Sequence, residues 1–355
     1  MPFLDWMRGL AAVIMLQGHT FHSFTRPDLR NDGPYVISQF FGGIGPAIFL
    51  FLTGITYAFI MQRGERSALP AGSRWIAALK RARYLFLLAF LFRLQLWLFA
   101  WPQSPMMLLK VDILNCMGLT MLVLSPLAVI SLEQRIRWAA AAGVAIAAAA
   151  PLISLVDWSW VPGPIRDYYV PSYDFFAFFP WAAFLAFGVC AGSILKSVTA
   201  DQMNRLMQWS ALGGFGLLAA GRYFSDLPYN VYPKSEFWLN SPWLVACKMG
   251  VLLILAAFAY LWNDYVIKDR WSWVRQLGTT SLLVYWVHIE LVYGKWLWFF
   301  KDSLNNYAVG ACAVAVILLM LALSVLRTRY ATFSFRSLWP ASGTAVLRPR
   351  RVSGD

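Results

Sequence analysis

A chain of 355 residues ordinarily makes two or three soluble domains, but 59% of this one is hydrophobic, 13% is charged and its mean hydropathy is +0.57. Soluble domains carry roughly 25% charged residues, so a water-soluble fold is excluded. The formal net charge of +13 brings no nucleic-acid partner with it, because the sequence offers no soluble stretch that presents a basic surface.

Apolar runs of about 20 residues, enough to cross a hydrocarbon core of about 30 Å, recur along the chain. They do not alternate as barrel strands do, and backbone groups in lipid must be satisfied internally, so each run predicts a helix. The first, near 3–22, contains Asp5 and Arg8 and lacks a small-residue cleavage site, so it reads as a retained helix and not a signal peptide. Arg8 and His19 lie eleven residues apart. At 100° per residue they share one face, separated by roughly 16 Å along the axis. An arginine snorkelling at one interface and a histidine capping the other end is the plainer reading of that pair. The turn signals Arg26-Pro27-Asp28 and Asn31-Asp32-Gly33-Pro34 follow, then a second run near 42–61, interrupted at Gly45-Pro46.

The connector 62–83 carries six basic residues, with Lys80, Arg81 and Arg83 clustered where the third run, near 83–101, begins. Arg binds phosphate bidentately and Lys as a point charge; plain membrane topology also explains such a cluster. Arg93 sits deeper in the third run than interfacial snorkelling accounts for, which leaves it to pair with Asp5 or to face a ligand path. In the fourth run, near 112–131, Asp112 and Asn115 stand one turn apart at the start, suited to an N-terminal cap or to a carboxylate partner for His19. Further runs lie near 137–156, 178–195, 206–222, 244–263, 279–299 and 308–326. The ninth carries His288 and Glu290; intramembrane ionisable groups cost about 2.5–3.5 kcal/mol each on insertion scales, and each invites a functional reading. This pair either orients and charge-balances His19 or makes a polar contact between helices.

The reading is therefore an all-α, polytopic membrane bundle of about ten spans, with one domain over 1–330 and a basic, disordered tail over 331–355. Lys and Arg concentrate in alternate connectors and in that tail, which puts both termini in the cytoplasm. Cys116, Cys190, Cys247 and Cys312 fall in four different runs without CxxC spacing, so neither a disulfide nor a zinc site is expected. His19, His22 and His288 form no metal-ligand motif. Trp158, Trp160, Tyr168, Tyr169, Tyr173, Tyr229, Tyr232 and Trp238 in the outer connectors suit either an interfacial belt or sugar stacking.

Leu4-Asp5-Trp6-Met7-Arg8-Gly9, with the run to His19, resembles the first helix of transmembrane acyltransferases, including the Arg-x10-His pattern of the acyltransferase-3 group. Phe49–Gly54, Val111–Gly118, Phe179-Pro180-Trp181 and Gly278–His288 are similar, in order and spacing, to the heparan-α-glucosaminide N-acetyltransferase catalytic family and its bacterial relatives. The lysosomal enzyme of that family has Asn at the position of His19 and its key His in the following loop. Here that loop offers only His22, so the arrangement is closer to acyltransferase-3.

The resemblance implies an enzyme of a bacterial-type inner membrane that moves an acyl group, acetyl above all, from cytoplasmic acetyl-CoA to a hydroxyl or amine on a glycan or lipid-linked acceptor, without a metal. His19, Asp112 and His288 are then the catalytic candidates. Arg8, Lys80, Arg81, Arg83 and Arg93 are candidates for holding the donor, and Asn115 and Glu290 for the acceptor. A secondary transporter of a small polar or anionic metabolite is the rival, and such proteins show paired broken helices; Gly45-Pro46 has no counterpart in the second half. A homodimer stays open.

Overall fold

The computed structural model describes residues 1–330 except 101 and 230; the predicted basic tail lies outside the described residues. Among the described residues there is no strand, only an isolated bridge between Thr25 and Leu304. Thirteen α-helices follow in order, with short 3-10 turns and one π turn between them. They are α1 (Pro2–Phe24), α2 (Gly33–Gly42), α3 (Gly45–Arg66), α4 (Ala71–Phe99), α5 (Ile113–Leu124), α6 (Leu132–Ile153) and α7 (Gly163–Arg166). The rest are α8 (Phe178–Ser197), α9 (Ala200–Ser225), α10 (Pro242–Leu261), α11 (Trp273–Thr279), α12 (Ser281–Tyr293) and α13 (Asn306–Tyr330).

Every apolar run expected from the sequence falls on a helix, but among the described residues the number long and apolar enough to cross a membrane is six: Gly33–Arg66, α4, α6, α8, Pro242–Ile267 and α13. Ile113–Ala128 and α12 are apolar but shorter. The long helices α1 and α9 carry ionisable residues, Asp5 and Arg8 in one and Asp201, Arg205 and Arg222 in the other.

α1 is the axis of the molecule. Phe3, Leu4, Trp6, Met7 and Ala11 enter a core built with α3, α5, α8 and α10. Ala12, Leu16 and Phe24 enter a second core with α11, α12 and α13. Pro2 occupies the first turn, where a missing N–H costs nothing, and Asp5 there complements the helix dipole. Close crossings fix its place. A Cβ on Gly9 would stand 1.7 Å from the Val274 carbonyl oxygen, and one on Gly278 1.8 Å from that of Asp5. The α3–α8 crossing repeats the device at Gly54 and Gly188, each 2.1 Å from a facing carbonyl by the same construction. With no apolar contrast between lipid tails and leucine, helices in a membrane gain from this closeness.

α2 and α3 form one helical stretch broken at Gly43-Ile44. Gln17 on α1 donates to the Ser38 carbonyl at 3.1 Å, and Gln39 donates to the Gly18 carbonyl at 3.0 Å. These bonds seat the break, with its Gly45-Pro46, against the middle of α1.

Candidate functional site

A cavity of about 1490 Å³ runs between α1, α2–α3, α4 and α12. Arg8, Arg81 and Arg327 line it toward the end where α1 begins and α13 finishes, near Thr279 and Ser281 at the α11–α12 junction. His19, His22, Arg93, Lys110 and Asp112 line it toward the opposite end. Both members of the α1 polar stripe therefore face one space. Arg8 reaches it with its charge partly matched, by Asp5 at 2.8 Å.

His19 Nδ1 lies 2.9 Å from His288 Nε2, with the two rings 14° from parallel. His288 is fully buried, and its Nδ1 lies 2.8 Å from the Val284 carbonyl oxygen. A carbonyl only accepts, so His288 Nδ1 carries the hydrogen, and in the neutral ring its Nε2 is a lone pair. The hydrogen between the imidazoles then belongs to His19 Nδ1. That leaves a lone pair on His19 Nε2, the state a general base needs, in a residue that lines the cavity. The Tyr293 ring closes on the His19 edge at 5.3 Å, and its hydroxyl lies 3.1 Å from His22 Nδ1.

Asp112 combines the two roles open to it with a different partner. It caps α5, accepting from the Leu114 and Asn115 backbone N–H groups at 3.0 and 3.1 Å, while the Asn115 side chain accepts from the Asp112 N–H at 3.3 Å. Its free oxygen faces Arg93 Nε at 3.3 Å, so its ionic partner is Arg93 and not His19. Arg93 is therefore not the partner of Asp5, and it lines the cavity, as its depth in the third run allowed. It stands twelve residues beyond Arg81 on α4, roughly 18 Å along the axis. Asn115 donates to the Tyr168 hydroxyl at 2.9 Å behind the cavity wall; burial pushes the Tyr168 phenol above the usual tyrosine range.

Of the other predicted residues, Arg81 faces the cavity and stacks over Tyr84 at 5.2 Å, whereas Lys80 and Arg83 are exposed and do not line it. Glu290 is buried beside the cavity and accepts from Trp296 Nε1 at 3.3 Å. Arg327, Thr53, Tyr285 and Tyr293 line the cavity without having been singled out in the sequence. Arg327 was legible there only as one more basic residue at a helix end, Thr53 and Tyr285 only as members of the family-like segments, and Tyr293 as an ordinary member of an apolar run. Among the described residues no three His, Cys, Asp or Glu side chains gather as a metal-holding group.

Helices long and apolar enough to span a bilayer, gathered around a polar-ended cavity, mark an integral membrane protein. Residues 1–223, well over half of the chain, match the family described as heparan-alpha-glucosaminide N-acetyltransferase, catalytic, and the chain belongs to that family. No curated protein matches it. The match reaches His19, Arg93 and Asp112; His288 and Arg327 lie beyond it, and the Arg-x10-His likeness to acyltransferase-3 rests on the residues alone.

Proposed function

We propose that this protein takes an acetyl group from cytoplasmic acetyl-CoA and delivers it to a hydroxyl or amine of a sugar-containing or lipid-linked acceptor. The observation that carries the reading is the cavity with three arginines toward one end and an imidazole on its wall toward the other. With the termini on the cytoplasmic side of a bacterial-type inner membrane, as the distribution of Lys and Arg favours, the arginine end faces the donor. All ten predicted runs then cross or enter the bilayer, with α1 shielded at the centre.

Arg8, Arg81 and Arg327 suit the donor's phosphates. The long, mostly uncharged pantetheine arm fits the stretch from Arg8 to His19, roughly 16 Å by helical rise. At His19, the acceptor oxygen or nitrogen attacks the thioester carbonyl while Nε2 takes the acceptor's proton. A C–O or C–N bond forms, the C–S bond breaks, and coenzyme A leaves as a thiolate that receives the proton back from the imidazolium. His288 holds the proton on His19 Nδ1 throughout and steadies the charge that develops on the ring, as an orienting partner does for a catalytic histidine.

A positioned base contributes roughly 10²–10⁴-fold. His19→Ala is therefore expected to lose acetyl transfer by that order while its thermal melting stays that of the wild type. Unchanged turnover in that variant removes His19 from the mechanism.

A further inference from the structure

α4 is the least enclosed of the six candidate spans: 22% of its apolar stretch is buried, against 61% for Gly33–Arg66 and 67% for α8. One side of it packs on α5 and α3. Its other side faces the cavity, with α12 across from it, and those two helices meet chiefly through side chains. The Phe92 ring lies 5.3 Å from Tyr285 and 5.2 Å from Trp286. Trp286 Nε1 donates to Gln95 Oε1. The Phe99 ring lies 6.4 Å from Trp296. On the cavity side this row ends at the histidine pair, because Tyr285 packs edge-on against His288 at 5.8 Å. On the other side Leu87, Leu91, Leu94 and Leu98 are exposed, and none of them lines the cavity.

The seam also holds a charge that the fold leaves incomplete. Glu290 is 7% exposed; Trp296 Nε1 donates to its Oε1, yet Oε2 is buried with no hydrogen-bond partner among the described residues. A carboxylate at this depth is costly unless each oxygen finds a donor.

We infer that the α4–α12 seam is a lateral gate for a membrane-resident acceptor. The acceptor's apolar tail stays in lipid against the α4 leucines. Its hydroxyl- or amine-bearing head passes the Phe92–Gln95–Trp286 latch, donates to Glu290 Oε2, and arrives at His19. This rests on the acyltransferase reading and specifies its acceptor as lipid-borne; a water-soluble glycan would approach instead past Lys110 and Trp238.

The test uses inside-out membrane vesicles containing the full-length protein, with acetyl-CoA labelled in the acetyl group. Product is divided into organic-extractable and water-soluble fractions. In the wild type the label is expected in the organic extract. In a Gln95→Cys/Trp286→Cys variant whose four native cysteines are replaced by serine, a short cleavable thiol cross-link is expected to abolish that label and cleavage to restore it. Thermal stabilisation by acetyl-CoA should be the same in both states. Label confined to water-soluble product, or equal transfer with the cross-link intact, overturns the gate. If the double variant does not fold, the partition of the wild-type label decides alone. Absence of acetyl-CoA binding by the wild type is a separate result that overturns the acyltransferase reading beneath the gate.

Discussion

His19 and His288 stand 269 positions apart in the chain and 2.9 Å apart in space. The spacing of Arg8 and His19 is local, so their shared face was legible from helical geometry alone. The Asp112–Asn115 capping box was legible for the same reason. The partners of these residues were not. Nothing in the sequence says that the second imidazole meets the first, or that Asp112 meets Arg93 (3.3 Å), because tertiary pairing in a bundle depends on which helices touch. Two predictions belong to these contacts. His288→Ala frees the His19 tautomer, so kcat for acetyl transfer should fall by roughly 10²-fold with KM for acetyl-CoA unchanged. His288→Gln should recover part of the loss, because an amide oxygen still accepts from His19 Nδ1; equal kcat in all three proteins denies the orienting role. Asp112→Ala removes both a cap and a buried charge partner, for which losses of about 3–5 kcal/mol are typical. Asp112→Asn keeps a capping side chain, so thermal melting should rank the wild type above Asn and Asn above Ala.

The elements were located by hydropathy, since each expected run is helical. Hydropathy did not separate helices that meet the length and apolarity of a full span from those that fall short of it, as α5 and α12 do in length. A short helix inside a bundle is shielded by its neighbours and needs neither. The crossings were also hidden, because glycines look alike until their neighbours are known. Gly9 would place a Cβ 1.7 Å from the Val274 carbonyl oxygen, whereas nothing lies within 4 Å of one on Gly213 in α9. Gly9→Ala should therefore force α1 from α11 and lower the melting temperature. Gly213→Ala should be neutral or raise stability by up to about 1 kcal/mol through helix propensity. Similar melting of the two variants would contradict the close α1–α11 crossing.

For the molecule as a whole, the basic connector read from the sequence resolves into residues that face the cavity and residues that do not. Arg81 lines it and Lys80, its chain neighbour, does not. That distinction tests the central claim, a donor site at the arginine end of the cavity, against a merely topological surplus of positive charge. The measurement is a thermal-shift titration of the detergent-solubilised protein with acetyl-CoA, run on the wild type, Arg81→Ala and Lys80→Ala. A ligand that binds only the folded state stabilises it by about 2.7 kcal/mol at a hundredfold excess over Kd. The wild type and Lys80→Ala should share a saturable upward shift, and Arg81→Ala should need markedly more ligand to reach it. No shift in the wild type, or equal weakening by both substitutions, would contradict the account.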